Sequence, residues 1–180
     1  MSSDDVYLGN PNLKKANTQI EFTADQIAEF IKCKKNPVYF AKKYVQIVNL
    51  DEGLVPFAPY KFQEKLIKRF HKERFNICKM PRQTGKSTTV VAYLLHYAVF
   101  NDSVNIGILA NKAATARELL GRLQTAYENL PRWMQQGIVA WNKGSLELEN
   151  GSKILAASTS ASAVRGMSFN ILFLDEFAFV

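Results

Sequence analysis

The sequence predicts an α/β domain, a largely parallel sheet flanked by helices, with a helical lead-in ahead of it. Three observations predict it. Two short runs, "IGILA" at 106–110 and "ILFLD" at 171–175, have strand length and the continuous apolar character of strands buried on both faces. Longer segments between and before them carry apolar residues at helical spacing. The order strand, loop, helix, strand, helix and further strands is that of crossover units on one sheet.

The elements follow in order. Residues 1–20 are polar and irregular and read as a loosely ordered lead. Thr23-Ala24-Asp25-Gln26 has the form of a capping box, and Ile27, Phe30 and Ile31 follow at helical spacing. Asn36-Pro37 can cap and open a second helix, with Phe40, Tyr44, Val45 and Val48 as its apolar stripe. Asp51 to Pro59 reads as a loop or linker. Phe62, Leu66, Ile67 and Phe70 mark a third helix with lysines around the rest of it. "FNICKM" at 75–80 has strand length, and a glycine turn at 85 leads into the helix "KSTTVVAYLLHYAVF". A further helix runs from about Ala113 to Asn129. Asn150-Gly151 between two alternating runs signals a hairpin.

Bulk properties narrow the class. A chain of 180 residues suits one domain, or one with a small appendage, and 47% hydrophobic residues exclude a disordered chain. Cys33 and Cys78 match no metal spacing and read as reduced thiols of a reducing compartment. The weakly polar run Thr88–Phe100 is shorter than the roughly 20 apolar residues a membrane helix needs. Ser2-Ser3-Asp4-Asp5 is unlike a signal peptide, so a soluble intracellular chain without membrane contact is expected. The net charge of +7 falls entirely within residues 1–86, which hold 16 Lys/Arg against 9 Asp/Glu. A basic half beside a neutral half fits a polyanion, although Lys32, Lys34 and Lys35 equally suit a helix C-terminus.

"KMPRQTGKST" at 79–88 carries the chemistry. The usual phosphate loop reads G-x-x-x-x-G-K-[ST]; here Met80 stands at the first glycine and Pro81 has no N–H. A helix N-terminus offers unpaired N–H groups and partial positive charge to phosphate. Gly85 lets the backbone approach the anion, Lys86 reaches the β- and γ-phosphates, and Ser87 offers its hydroxyl to Mg²⁺. Pro81 biases Met80 toward extended geometry, and the Arg82 guanidinium can offset the lost donor. The loop residues Met80, Pro81, Arg82, Gln83, Thr84, Gly85, Lys86, Ser87 and Thr88 are therefore the expected ATP-binding set. In "ILFLDEF", Asp175 at a strand end suits the metal-holding role, and Glu176 the general base for water. Arg82 and Arg165 are candidates to neutralise charge developing in phosphoryl transfer. For Arg165 a structural salt bridge stays open. Together these residues specify a P-loop NTPase of the RecA/ASCE kind using Mg-ATP.

At this point a resemblance emerges. "YKFQEKLIKRF", "CKMPRQTGKSTTVVA", "GILANKAATARELL", "GIVAWNKGSLELENGS" and "AVRGMSFNILFLDEFAF" resemble, in consistent order over about 55–180, the ATPase domain of tailed-bacteriophage large terminase subunits, T-even-like branch. The resemblance implies a division into a polar lead with N-terminal helices at 1–54 and a P-loop ATPase domain at 55–180. It assigns Lys86 and Ser87 to phosphates and Mg²⁺, Asp175 to the metal, and Glu176 and the cis arginine Arg82 to catalysis. Arg165 would act across to a neighbouring subunit. Gln63 would contact adenine, with Tyr60 or Phe62 stacking on it; a core role for Phe62 stays open. Asn111-Lys112 falls where related translocases place a nucleic-acid- or coupling-related loop. Implied partners are double-stranded DNA, the portal protein, the small terminase subunit and a homo-oligomeric ring, in the host cytoplasm at the procapsid portal. Large terminases continue beyond the acidic strand into further ATPase strands and a nuclease domain, so a C-terminally incomplete chain is expected. Two other readings are a helicase-like translocase on the same scaffold and a fragment that binds nucleotide or a partner without turnover.

Overall fold

The computed structural model describes residues 5–49, 51–160 and 166–176. Strands β1 (Val6–Tyr7) and β2 (Asn10–Lys14) form an antiparallel hairpin where the sequence suggested an irregular lead. Its anchors lie more than a hundred residues away, which is why local pattern missed it. The buried Gln135 accepts from the Lys14 N–H at 3.0 Å and donates to the Asn12 carbonyl at 2.9 Å. Lys14 pairs with Glu149 at 2.9 Å.

Helix α1 (Ala24–Lys35) starts at the predicted capping box: Thr23 Oγ1 accepts from the Gln26 N–H, and the Gln26 side chain accepts from the Thr23 N–H. Helix α2 (Pro37–Tyr44) is capped by Asn36 with Pro37 in its first turn. It ends at Tyr44, short of the expected stripe residue Val48. Strands β3 (Gln46–Asn49) and β4 (Gly53–Pro56) pair antiparallel there, replacing the expected helix end and part of the expected loop. Val45 and Val48 are β-branched and favour extended backbone, which local helical spacing did not weigh. Glu29 ties α1 to α2, accepting from Tyr39 and Tyr44 hydroxyls at 2.8 Å and Lys43 Nζ at 2.7 Å. The Lys43 contact leads the causes that hold its carboxyl down at about 2.

After α3 (Lys61–Lys72) come α4 (Lys86–Phe100), β5 (Asn105–Ala110) and α5 (Ala113–Glu128). Strands β6 (Ile138–Trp141), β7 (Ser145–Leu148), β8 (Lys153–Ser158) and β9 (Ile171–Leu174) complete the set. They form a five-stranded mixed sheet of order β6-β7-β8-β5-β9. β5 is parallel to both neighbours, with Ile106 opposite Ile154 on one side and Ile171 on the other. The β7–β8 pairing is the antiparallel hairpin predicted at Asn150-Gly151. At Gly107 in β5 the Leu172 and Phe169 side chains pack close over the backbone; a Cβ there would lie 2.7 Å from Leu172 Cδ1 and 3.1 Å from Phe169 Cε1, so these side chains would have to shift. Helix α5 packs on β5 and β8, and α4 packs on α5, α3 and α2. One hydrophobic core, including Phe40, Leu95, Ile106, Ile108, Leu120 and Tyr127, runs through these layers.

One expected strand is missing. Residues 75–80 form no strand, and Phe75 and Ile77 are 82% and 99% exposed. The apolar pattern is right for a buried strand, but among the described residues no strand pairs with it. Among the described residues β9, the strand leading to the acids, is bonded to β5 alone. A strand needs a ladder as well as a pattern.

Buried His96 on α4 sits among Phe40, Phe100, Tyr93 and His71, and its Nε2 contacts the Cys33 carbonyl at 2.9 Å. Burial holds its pKa down to about 4 from 6.5. Between those values the unfolded chain binds a proton that the folded chain does not, so stability is full above pH 6.5 and is lost as pH falls toward 4. The loss is on the order of 3 kcal/mol. Urea unfolding across this range is expected to show the slope in the wild type and a flatter dependence in His96→Phe.

Candidate nucleotide-binding site

Helix α4 can begin at Lys86 because Gly85 turns the chain into it. Gly85 lies at φ 71° and ψ 24°, in the left-handed region. A Cβ on it would stand 2.5 Å from Gln63 Nε2. Glycine alone meets both demands without strain. Gln83 is also left-handed, at φ 60°. Left-handed residues in such a turn tilt neighbouring N–H groups toward a common side, making a concavity suited to anions.

The departures from the usual loop have a use. Lys86 Nζ donates to the Pro81 carbonyl at 2.7 Å and to the Met80 carbonyl at 3.2 Å. Thr84 Oγ1 donates to the same Pro81 carbonyl at 3.0 Å. Met80 and Pro81 therefore serve through their carbonyls, for which the missing proline N–H is irrelevant. Arg82 and Gln83 are exposed, and Ser87 and Thr88 are half-buried in the first turn of α4. Thr89, not singled out in the sequence, is fully buried and donates its hydroxyl to the Gly85 carbonyl at 2.8 Å.

Gln63 reaches the loop from α3. It is buried, accepts from the Tyr60 N–H at 2.8 Å, and directs Nε2 at the Thr84 and Gly85 carbonyls, 3.4 Å from each. Beside it, the Tyr60 and Phe62 rings stack at 5.8 Å and are exposed rather than in the core. Lys112 caps α5 just beyond β5.

At the far side of β5, the Asp175 N–H donates to the Leu109 carbonyl at 2.8 Å, carrying the ladder one residue past β9. Glu176 then adopts φ 51°, left-handed and costly for a glutamate, on the order of 1–3 kcal/mol. Burial, and next the like charge of Glu176, push the Asp175 carboxyl above its ordinary 3.8. Lys86 and Arg122 pull it back, so the loop lysine lies within electrostatic reach of the strand-end acid. Arg122 left no local signal in the sequence. It belongs to α5, where it pairs with Glu118 at 2.6 Å. Arg165 lies outside the described residues.

The donor set fits Mg²⁺. A serine hydroxyl and a carboxylate are hard oxygen ligands, and this ion keeps several waters and needs only one or two protein carboxylates. Among the described residues no group of three or more His, Cys, Asp or Glu is placed to hold a metal. The strained electrostatics of Asp175 make a prediction. Because its folded-state value is raised, the folded chain keeps a proton that the unfolded chain has lost, so stability falls as pH rises through that window. Asp175→Asn is therefore expected to raise the urea midpoint at neutral pH while removing Mg²⁺-dependent nucleotide affinity.

A glycine turn into a helix N-terminus, with its lysine in electrostatic range of the acid just past β9, is the arrangement of an α/β P-loop domain. A family model described as the N-terminal part of the T4likevirus-type terminase large subunit matches residues 77–180, and the chain belongs to that family. Among solved structures, the HK97 bacteriophage large terminase is similar in fold, with TM-score 0.63 and 17% identity. The match covers 78% of this chain and 30% of that one, so the chain spans under a third of that terminase's length.

Proposed function

We propose that this chain is the ATP-hydrolysing portion of a DNA-packaging motor. The observation that carries the reading is the glycine turn into α4, where Lys86 is held by two loop carbonyls and lies within electrostatic range of Asp175 just past β9. Lys86 and the α4 N-terminus would hold the β- and γ-phosphates, with Ser87 and Asp175 holding Mg²⁺. When bound, the ion neutralises charge on the phosphate oxygens. Glu176 would take the proton from a water as that water attacks the γ-phosphorus. The bond from that phosphorus to the bridging oxygen breaks, and ADP leaves. Arg82, exposed beside the loop, and Arg165 would neutralise charge on the transferring group. Gln63, whose Nε2 lies 3.4 Å from the Thr84 and Gly85 carbonyls, would contact the adenine base.

Turnover would drive double-stranded DNA into a procapsid through the portal protein, as part of a ring of like subunits working with the small terminase subunit in the host cytoplasm. The test is Mg²⁺-dependent binding of a fluorescent ATP analogue together with phosphate release. Absence of any Mg²⁺-dependent binding contradicts the reading. The unpaired segment 75–80 favours a second reading, in which these residues alone bind nucleotide without turnover; binding with no phosphate release supports it.

A further inference from the structure

The exposed side of α3 has no role in the site above, yet it concentrates charge. From Lys61 to Arg82 there are eight lysines and arginines against two glutamates. At 3.6 residues per turn, Lys61, Lys65, Lys68 and Lys72 fall within a sector of about 60°. All four are exposed, while Gln63 and Ile67 on the opposite side are buried. The acids do little to balance them. Glu64 is engaged by Lys42 of α2 at 2.7 Å, and Glu73 stands 3.8 Å from Lys72. Among the described residues Lys61, Lys65, Lys68 and Arg69 make no ion pair. Like charges at i and i+4 destabilise a helix, so the row is unfavourable for the free protein.

We infer that this row docks the phosphate backbone of duplex DNA. Lys61 to Lys72 spans about 16 Å of helix, long enough to follow a strand of backbone. Four flexible point charges on a straight rod, with no aromatic inside their own 60° sector, suit phosphates rather than unstacked bases. The choice of DNA among polyanions rests on the packaging reading. The surface is joined to the nucleotide loop, because the same helix sets Gln63 Nε2 3.4 Å from the Thr84 and Gly85 carbonyls.

The experiment is fluorescence anisotropy of a random-sequence duplex titrated with the chain over a range of salt. Lys65→Ala/Lys68→Ala/Lys72→Ala is compared with Lys32→Ala/Lys34→Ala/Lys35→Ala, which removes the same charge from the end of α1. The α3 variant is expected to flatten the salt dependence by about 2.7 in log–log slope, whatever the duplex sequence, and the α1 variant to leave it unchanged. Between about 50 and 200 mM salt, the wild type would then lose about 40-fold more affinity than the α3 variant. Equal effects of both variants, no effect of the α3 variant, or binding to polyglutamate in preference to duplex would overturn the inference. ATP-analogue binding in the same samples separates the two claims. If it is retained while the α3 variant has no effect, only the docking surface fails. If it is absent while the α3 effect holds, only the nucleotide reading fails.

Discussion

Replacing Glu176 by glutamine is expected to leave nucleotide bound and to cut hydrolysis by about 10²- to 10⁴-fold. The amide keeps the shape of the side chain and so keeps the left-handed backbone at φ 51° that aims it. It cannot take a proton from water. It also removes the like charge that is the second cause of the raised Asp175 carboxyl, after burial. Asp175 in this variant should ionise at lower pH, and Mg²⁺-dependent nucleotide affinity should extend to more acid conditions. Single-turnover phosphate release and analogue binding, measured against pH, check both. Hydrolysis within a few-fold of wild type would remove Glu176 from the reaction.

Lys86→Ala is expected to lower turnover by about 10²- to 10³-fold, as loss of one preorganised charge does elsewhere, and to weaken ATP binding with it. The ammonium is held within the loop by the Pro81 carbonyl at 2.7 Å and the Met80 carbonyl at 3.2 Å. Its removal also withdraws a cation from Asp175, whose carboxyl should rise further. Loss of binding and turnover together is the signature, in contrast to the glutamine variant, which separates them. Near-normal turnover would sink the assignment.

What could be read from the sequence was what local residues decide. The Thr23–Gln26 box, the Asn36-Pro37 start and the Asn150-Gly151 turn need only their neighbours, and each stands where expected. The loop at 79–88 and the acids at 175–176 stood out because the proposed chemistry requires those residue types at those places, and the structure sets the first at the turn into α4 and the second just past β9. Long-range decisions were not legible. The β1–β2 hairpin depends on Gln135 and Glu149, and the β3–β4 hairpin overrides a helical stripe ending at Val48. At 75–80 the apolar pattern was read correctly, yet pairing cannot be deduced from pattern, and none is made among the described residues. Ile27 and Ile31 stand at the helical spacing read from the sequence, yet that spacing did not tell that they are 50% and 47% exposed. Arg122 could not have been found, since only the packing of α5 on β5 brings it near Asp175.

The most direct test of the central claim is a double-mutant cycle between Ser87→Ala and Asp175→Asn, read as affinity for a non-hydrolysable ATP analogue with and without Mg²⁺. If the helix-start hydroxyl and the strand-end acid share one ion, the two changes should couple by about 1 kcal/mol or more with Mg²⁺ and act independently without it. Additivity within about 0.5 kcal/mol in both conditions would show that the loop and the acids do not serve a common triphosphate.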